Sequence, residues 1–279
     1  DFNNEVLNGQ DADLFDITYH LSQEDADTNT NTITSPYYNT TAFSYQVFVR
    51  IENSLKVECY STTEFTINVY TTPTANAVED LFECDDNNDG VLSFDFVESQ
   101  NQVLGTQDPT AFSVTFHSSQ EDADNNANNL TIPYSNTNTT EQIFVRIENN
   151  ANTTCFDTTS FNLNVFDTPV ANTVQTYEVC DDLSDGDDAN GQTEILLTDF
   201  NNEVLNGQDA DLFDITYHLS QEDADTNTNA IASPYYNTTA FSYQVFVRIE
   251  NSLKVECYST TEFTILSLIH ISEPTRPID

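Results

Sequence analysis

A segment of 67 residues occurs twice in this chain of 279 residues. Residues 1–67 and 199–265 differ at only two positions, where Thr is replaced by Ala. A diverged copy lies between them, because the sequence SQEDAD recurs at 22–27, 119–124 and 220–225. A fixed period of about one hundred residues indicates a tandem array, and this constrains the fold more than any other feature.

The period divides the chain into four predicted segments. They are repeat 1, residues 1–72, truncated at its N-terminus; repeat 2, residues 73–168, complete; repeat 3, residues 169–265, truncated at its C-terminus; and a tail, residues 266–279. Each repeat is long enough to bury a core of its own. The near-identity of repeats 1 and 3 fits either a recent duplication or an assembly error.

Alternating apolar residues predict strands in every repeat. VLSFDF is predicted as the first strand, NNEVLNG as one or two helical turns stopped by glycine, and FDITYH as the second strand. SQEDAD is predicted as a loop, with a short strand near Ile33 and its counterparts, and QVFVRIE and STTEFTINVY are predicted as the last two strands. The fold class is therefore all-β: tandem antiparallel β-sandwiches of the immunoglobulin or fibronectin III kind.

The charge of the chain excludes some partners. Asp and Glu number 47 against six Lys and Arg, a formal net charge of −41. Such a surface repels nucleic acid and anionic lipid, and it suits divalent cations or high salt. No apolar run approaches the ~20 residues that a membrane-spanning helix needs. We therefore expect no nucleic-acid partner and no direct membrane insertion of this segment.

An Asp-rich loop in repeat 2 is a candidate calcium site. The sequence from Asp85 through Asn87 and Asp89 to Gly90 fits the first half of a calcium-binding loop. Phe96 stands where such a loop has its bidentate Glu, and Asp95 is a substitute ligand. The alternative is a solvated Asp/Asn/Gly turn.

Repeat 3 keeps a weaker form of the same loop. Leu183 occupies one ligand position, which leaves Asp181, Asp185 and Asp187 as candidate calcium ligands. Calcium is the only cofactor that the sequence suggests.

Five cysteines occur in two sequence contexts, at 59, 84, 155, 180 and 257. Pairing within a repeat gives Cys84–Cys155 and Cys180–Cys257, with the partner of Cys59 missing upstream. Pairing across the linker gives Cys59–Cys84 and Cys155–Cys180. We favour the first scheme, because the last strand carries the chain roughly 33 Å away from Cys59, and a disulfide needs Cα atoms within ~7 Å.

Disulfides in so polar a chain predict an oxidising, extracellular or cell-surface location. Catalysis is not predicted. His20, His117 and His218 end equivalent strands without a recurring nucleophile beside them. Arg50 and its counterparts in FVRIEN are expected to form surface ion pairs or to pack over Tyr.

The combination of CDDxxDG, NGQDADLFDITYHLSQEDAD, SPYYNTT, FVRIEN and CYSTTEF resembles repeats in very large secreted surface proteins of flavobacteria. These proteins typically end in a gliding-motility-associated C-terminal domain that directs export by type IX secretion. The resemblance covers residues 1–265 and implies an extracellular protein with adhesin-like or stalk-like β-sandwich repeats. It supplies no catalytic residues.

The sequence thus predicts a non-enzymatic segment of a large secreted or cell-surface adhesin, serving as a disulfide-pinned, calcium-stiffened stalk. Its partner would be an unidentified surface glycan or protein. The alternative is a carbohydrate- or protein-binding module attached to a secreted enzyme.

The tail breaks the repeat pattern after Ile265. Its residues 266–276, LSLIHISEPTR, resemble the conceptual translation of a transposase-based sequencing adapter. We therefore interpret residues 266–279 as a non-native tail that carries no function.

Overall fold

The computed structural model describes residues 2–41, 43–183, 186–187 and 189–268. The chain divides into two compact units. One unit comprises residues 1–74, 106–113 and 147–157, and the other comprises residues 75–105, 114–146 and 158–279. Repeat 1 lies in the first unit and repeat 3 lies wholly in the second. No helix among the described residues is long and apolar enough to cross a membrane.

Short helices and longer strands alternate in all three repeats. Repeat 1 contains α1 (Phe2–Leu7), a 3-10 helix (Ala12–Leu14), β1 (Phe15–His20), α2 (Gln23–Thr28), β2 (Ser44–Asn53) and β3 (Lys56–Asn68). Repeat 2 contains β4 (Leu81–Asp85), β5 (Ser93–Phe94), α3 (Val97–Leu104), β6 (Phe112–His117), α4 (Gln120–Asn125), β7 (Tyr134–Ser135), β8 (Thr140–Asn149) and β9 (Asn152–Asp167).

Repeat 3 follows the order of repeat 2. It contains β10 (Tyr177–Cys180), β11 (Glu194–Ile195), a 3-10 helix (Leu197–Phe200), α5 (Asn201–Leu205), β12 (Phe213–His218), α6 (Gln221–Thr226), β13 (Tyr235–Tyr236), β14 (Ser242–Asn251) and β15 (Lys254–Leu268).

Each of the two longer repeats is built from a four-stranded and a two-stranded sheet. In repeat 3 the strand order is β10-β15-β14-β12, with β11 pairing β13. Strand β10 runs parallel to β15, whereas β14 is antiparallel to both of its neighbours, β15 and β12. Repeat 2 has the equivalent order β4-β9-β8-β6, with β5 pairing β7. The predicted all-β sandwich class is confirmed.

The core of repeat 3 is formed by residues of both sheets. Alternate residues Val245, Val247 and Ile249 of β14 are fully buried, and Ile265 of β15 and Ile195 of β11 are buried with them. At roughly 25 cal/mol for each Å² of apolar surface removed from water, such side chains contribute about 1.5–3 kcal/mol each. The alternation seen in QVFVRIE thus gives the main hydrophobic face of the sandwich.

Two predictions about strands are wrong. The first strand of repeat 2 is β4, which lies before the predicted VLSFDF segment, and only Ser93 and Phe94 of that segment pair as a strand. The predicted strand near Ile33 and Ile231 is absent from the described residues. Each of these residues donates a single backbone hydrogen bond, to Tyr19 and Tyr217 respectively, and the short strand of repeat 3 begins after Pro234.

The predicted SQEDAD loop is instead a short helix in each repeat. Ser22 accepts a hydrogen bond from the backbone N–H of Asp25 and donates its hydroxyl to the carboxylate of Asp25. Ser22 is therefore the N-cap of α2. The acidic residues in the first turn stabilise the helix because their negative charge lies near the positive end of the helix dipole. Asn29 ends α2 in the left-handed conformation at φ 53°. The local sequence signal for this helix is therefore its capping residues and not an apolar period.

A buried arginine holds the other end of each of these helices. In repeat 3, Nη1 of Arg248 donates to the carbonyls of Ala224 and Asp225 at 3.1 and 3.0 Å. Nε lies 2.5 Å from the carboxylate of Glu250, and the guanidinium lies 3.5 Å from the ring centroid of Tyr258. Packing over tyrosine is therefore confirmed, but the predicted surface ion pair is buried because α6 covers it.

The end of β15 contains a buried hydroxyl with no hydrogen-bond partner, that of Ser267. Repeats 1 and 2 have Val69 and Val165 at this position. Replacing Ser267 by Val should raise the stability of repeat 3 by about 1–2 kcal/mol, since an unsatisfied polar group is removed and apolar surface is buried. Thermal unfolding checks this prediction.

The matched control for Ser267 is Ser259, on the same strand. Its hydroxyl accepts from the N–H of Ala171 at 2.6 Å and donates to the carbonyl of Pro169 at 2.7 Å. Ser259→Val should therefore lower the melting temperature. If Ser267→Val lowered it as well, the interpretation of Ser267 as a misfit would be wrong.

Candidate functional site: a disulfide junction between repeats

Two consecutive repeats are joined by a disulfide. Cys84 of β4 in repeat 2 bonds to Cys257 of β15 in repeat 3, with Cα atoms 5.3 Å apart and a sequence separation of 173. Cys84 lies near the end of the first strand of its repeat, and Cys257 lies near the start of the last strand of the next repeat. Cys59 and Cys180 are exposed free thiols, and Cys155 is a half-buried one.

This bond corrects the predicted pairs Cys84–Cys155 and Cys180–Cys257. The prediction placed Cys84 before the first strand, at the same end of the sandwich as Cys155. In the structure β4 runs parallel to β9 with Cys84 opposite Phe166, eleven residues beyond Cys155. At ~3.3 Å for each residue the two positions lie roughly 36 Å apart, far beyond the ~7 Å limit. The alternative pair Cys59–Cys84 does not form either.

The same register excludes Cys180–Cys257. Cys180 lies opposite Leu268, again eleven residues beyond the last-strand cysteine of its own repeat. A cysteine at the end of the first strand can therefore pair only outside its repeat. The parallel pairing of first and last strands is what dictates an inter-repeat bond.

The Asp-rich loop of repeat 2 forms hydrogen bonds with the linker that leads to repeat 3. Asn88 accepts from the backbone N–H of Thr168 at 3.0 Å and donates to the carbonyl of Thr168 at 3.1 Å. The N–H of Thr168 also donates to the carbonyl of Asp85. A left-handed backbone at φ 56° presents the Asn88 side chain for this contact. The loop thus fixes the chain just where the repeat ends.

Repeat 3 holds the linker from the other side. The amide of Asn251 donates to the carbonyl of Asp167 at 3.1 Å, and Ser259 bonds the backbone of Pro169 and Ala171. Asn149, the equivalent of Asn251, donates in the same way to the carbonyl of Thr71 at 2.9 Å. The Asn of FVRIEN therefore anchors the linker at both positions in the array.

Aromatic and charged side chains flank the disulfide. Phe82, two residues before Cys84, stacks on Phe166 with ring centroids 6.3 Å apart. Lys254 of repeat 3 lies 5.0 Å from the Phe82 ring centroid, and its ammonium lies 3.2 Å from Glu256. A cation over an aromatic face contributes about 0.5–1 kcal/mol at such a partly exposed site. Lys254 therefore supplements the disulfide across the junction.

The candidate calcium ligands of repeat 2 bond to their own loop. Asp85 is buried and accepts from the N–H groups of Asn87 and Gly90 at 3.2 and 2.6 Å. Asp89 accepts from the Asn87 side chain and from the N–H of Val91. Asp95 accepts from the N–H of Val97 at the start of α3. The described residues contain no group of three or more His, Cys, Asp or Glu arranged to hold a metal.

The loop of repeat 3 differs in one respect. Asp181 is buried and accepts from the N–H of Gly191 through Oδ2, whereas its Oδ1 has no partner. Asp187 accepts from the N–H of Ala189 at 3.1 Å. The third predicted ligand, Asp185, lies outside the described residues. Calcium binding at either loop stays a prediction.

The histidines are structural in all three repeats. His20 is fully buried, with Nε2 2.9 Å from the Thr18 hydroxyl and Nδ1 2.7 Å from the carbonyl of Thr30. His117 and His218 repeat this arrangement. Both ring nitrogens are occupied, so the imidazole ties the end of the strand to the residues after the short helix.

The acids of SQEDAD are similarly occupied. Hydrogen bonds from Ser22 and then Asn31 lower the pKa of Asp25 below its ordinary value. Hydrogen bonds from the equivalent Ser and Asn lower the pKa of Asp122 and of Asp223. Their contribution to stability is present above the ordinary Asp pKa and is lost as the pH falls through the lowered value. These carboxylates cap and brace the loop.

The fold and the junction define a class: tandem β-sandwich repeats that are linked by a disulfide between neighbours. A sequence profile described as the Flavobacterium inter-domain disulphide bond domain matches residues 1–73, 80–169 and 176–270. The chain belongs to this family. The bond between Cys84 and Cys257 is an inter-domain disulfide of the kind that the family description states.

Comparison with solved structures gives distant similarities. The human desmocollin-1 ectodomain matches at 12% identity and a TM-score of 0.22, covering 90% of this chain and 54% of that chain. Immunoglobulin domains 1–5 of sidekick-1 match at 10% identity and a TM-score of 0.32, covering 92% and 55%. The chain thus spans about half the length of these proteins, and at such TM-scores the matches carry no argument. No curated protein matches the chain.

Sequence reasoning missed Asn88, Asn251 and Ser259 as junction residues. Asn88 falls at a spacer position of the predicted calcium loop, and Asn251 falls in the turn that follows the predicted strand QVFVRIE. The available signal was repetition: Asn of FVRIEN recurs at 53, 149 and 251 although it follows the last core residue. A recurring polar residue just outside the core indicates a contact between repeats.

Proposed function

We propose that this chain is a non-enzymatic segment of a large secreted or cell-surface adhesin-like protein, in which the repeats form a disulfide-linked stalk. The domains are residues 1–72, 73–168 and 169–265, followed by the non-native tail. The observation that carries the proposal is the bond between Cys84 of repeat 2 and Cys257 of repeat 3. A bond from each repeat to the next makes neighbours act as one mechanical body.

The pairing rule accounts for the other cysteines. In each repeat the first-strand cysteine bonds to the last-strand cysteine of the following repeat. Cys59 and Cys155 occupy the position of Cys257, and Cys180 occupies the position of Cys84. All three are free thiols in this chain. The rule would pair the first two with a first-strand cysteine of a preceding repeat and the third with a last-strand cysteine of a following repeat. Under this rule every β-sandwich repeat is disulfide-bonded to the next one along the array.

An extracellular setting follows from the disulfide, because such bonds persist in oxidising compartments. The charge of −41 keeps neighbouring chains apart and soluble. Export by type IX secretion, with a gliding-motility-associated C-terminal domain elsewhere in the protein, fits the resemblance to flavobacterial surface proteins. The partner of such a stalk would be a surface glycan or protein.

Force spectroscopy tests the stalk. The disulfide shields the residues between Cys84 and Cys257 from a pull on the chain ends. Reductant should therefore add a contour length of roughly 600 Å, which is 173 residues at ~3.6 Å each. Cys84→Ser should give this length without reductant. Full extension of the oxidised wild-type chain would contradict the proposal, and specific glycan binding by the intact chain would favour a binding module instead.

Calcium is a second stiffening element in this proposal, at the loop of repeat 3. The observation that favours it is the buried, unpartnered Oδ1 of Asp181, since a buried carboxylate oxygen gains most from a cation. Asp181 and Asp187 would bind the ion together with Asp185. A calcium concentration one hundred times the dissociation constant should stabilise repeat 3 by about 2.7 kcal/mol.

Thermal unfolding with and without calcium measures this stabilisation. Asp181→Asn should abolish the shift, and Asp95→Asn in repeat 2 is the control that should leave it unchanged. Absence of a shift at millimolar calcium in the wild-type chain would contradict a calcium site.

A further inference from the structure

The sequence Asn-Gly-Gln occurs three times in the chain, at 8–10, 190–192 and 206–208. A backbone nitrogen that follows asparagine can attack the side-chain amide, and glycine hinders this attack least because it has no Cβ. We propose that Asn190 is a self-modification site, at which Asp181 promotes the conversion of Asn190 to aspartate or isoaspartate through a cyclic succinimide. This inference goes beyond the proposed function and does not depend on the disulfide.

The attacking nitrogen at this site is held by a buried carboxylate. The backbone N–H of Gly191 donates to Oδ2 of Asp181 at 2.7 Å, and Asp181 is only 5% exposed. The other carboxylate oxygen, Oδ1, has no hydrogen-bond partner. The carboxylate is thus directed at the Gly191 nitrogen, where it is placed to act as a general base.

The side-chain amide of Asn190 is folded back towards the same nitrogen. Its Oδ1 accepts from the backbone N–H of Gln192 at 2.8 Å, which makes an Asx-turn that spans Gly191. The same N–H stabilises the negative charge that develops on Oδ1 when the nitrogen attacks Cγ. Two hydrogen bonds therefore bring the base, the nucleophile and the electrophile together.

The surrounding residues fix the position of Gly191. Its carbonyl accepts from the side-chain amide of Asn237 at 2.9 Å, and a Cβ at Gly191 would lie 2.6 Å from Cδ1 of Phe241. Gly191 is buried, whereas Asn190 is half-buried and open to water. The site is therefore rigid at the nucleophile and accessible at the carbon that water attacks in the second step.

Repeat 2 shows that the loop accommodates the aspartate product. Asp89 takes the place of Asn190 there, because its Oδ1 accepts from the N–H of Val91 at 2.8 Å. The N–H of the next residue, Gly90, donates to the buried Asp85 at 2.6 Å. Conversion of Asn190 to aspartate would give repeat 3 the carboxylate that repeat 2 already has at this position.

The reaction has two steps. Asp181 takes the proton of the Gly191 N–H while the nitrogen forms a bond to Cγ of Asn190, and the Cγ–Nδ2 bond then breaks as Nδ2 takes up that proton and leaves as ammonia. Water opens the succinimide at either carbonyl and gives aspartate or isoaspartate. The net change converts one amide and one water into one carboxylate and one ammonium ion, and no oxidant or reductant is needed.

The other two Asn-Gly-Gln segments are internal controls with the same local sequence. Asn8 and Asn206 follow short helices and have left-handed backbones at φ 45° and 46°. Among the contacts of the described residues, no carboxylate accepts from the N–H of Gly9 or Gly207. The folded chain should therefore modify Asn190 about a hundredfold faster than these two, which is what a positioned base typically contributes. In the unfolded chain all three should react at similar rates.

The experiment incubates the full chain, folded and in urea, in water enriched in heavy oxygen. A chelator is present so that no cation occupies Asp181. Tandem mass spectrometry of the peptides then locates the heavy oxygen at each asparagine. We expect the label at Asn190 first in the folded chain, and Asp181→Asn should slow its incorporation about a hundredfold. Equal rates at the three sites of the folded chain, or an unchanged rate in Asp181→Asn, would overturn the proposal.

A gain-of-function variant tests the same geometry without altering Asp181. Asp89→Asn places an Asn-Gly pair next to the Asp85 carboxylate in repeat 2, and position 89 should then incorporate heavy oxygen in the folded chain. Adding Asp85→Asn should slow this incorporation about a hundredfold. No label at position 89 in an Asp89→Asn chain that melts like the wild type would overturn the role of the buried carboxylate.

Discussion

Replacing Arg248 by Ala is expected to destabilise repeat 3 by about 3–5 kcal/mol, because it leaves the carboxylate of Glu250 buried without its cation. Arg248 also loses hydrogen bonds to the carbonyls of Ala224, Asp225 and Val255. The C-terminal end of α6 is then open, and the stacking on Tyr258 disappears. The six-residue helix α6 has little apolar surface to bury. The contacts of the Arg248 guanidinium therefore supply much of the stabilisation that apolar packing gives to longer helices.

Urea unfolding of the full chain measures this effect, with Arg50→Ala as the matched variant. Arg50 makes the same contacts in repeat 1, with Glu52, the carbonyls of Ala26, Asp27 and Val57, and the ring of Tyr60. The double variant Arg248→Met, Glu250→Leu should be milder than Arg248→Ala, since neither charge remains buried. A loss below about 1 kcal/mol in Arg248→Ala would contradict the bracing role.

Replacing Cys84 by Ser is expected to have the second largest effect, a loss of about 2–5 kcal/mol for the pair of repeats. The bond closes a loop of 173 residues. Closing a loop of that length lowers the conformational entropy of the unfolded chain and so stabilises the folded state by about 5 kcal/mol at most. Repeats 2 and 3 should also unfold separately once the bond is absent, whereas the oxidised chain should unfold them together.

Calorimetry of the oxidised chain with and without reductant measures this coupling. Cys84→Ser and Cys257→Ser should behave alike, and each should remove the effect of reductant. Cys155→Ser is the control and should behave as the wild type, because Cys155 is a free thiol in this chain. Equal losses in Cys155→Ser and Cys84→Ser would contradict the inter-repeat bond.

Local patterns predicted most of the strands and the sheet faces correctly. FDITYH and QVFVRIE in repeats 1 and 3, and the equivalent FSVTFH and QIFVRIE in repeat 2, are strands. In repeat 3 the alternate apolar residues of QVFVRIE lie in the core. The helical turns of NNEVLNG are confirmed as well. These features depend on residues close in sequence, which is why periodicity reveals them.

The short helix and the disulfide needed other information. SQEDAD has no apolar period, and its signal is the capping pattern of Ser followed by Asp three residues later. The disulfide depends on which strand is first and on its direction. The sequence pattern predicts VLSFDF as the first strand, whereas the first strand is LFECD, so the prediction puts Cys84 at the wrong end of the sandwich.

The Asp-rich loop shows how one pattern supports two functions. Its carboxylates resemble the first half of a calcium loop, yet in repeat 2 they accept hydrogen bonds from backbone N–H groups, and Asn88 bonds to Thr168. Spacing alone does not distinguish ligands from turn-forming residues. The contact with the linker is visible only when the neighbouring repeat is present.

The most direct test of the central claim is non-reducing tryptic mapping of the oxidised Cys59→Ser chain. The Cys84–Cys257 bond predicts that fragment 57–146 is linked to fragment 255–279. Pairing within repeats would instead link 57–146 to 147–248 and 147–248 to 255–279. The first result would establish that each repeat is bonded to the next, and the second would contradict disulfide bonding between neighbouring repeats.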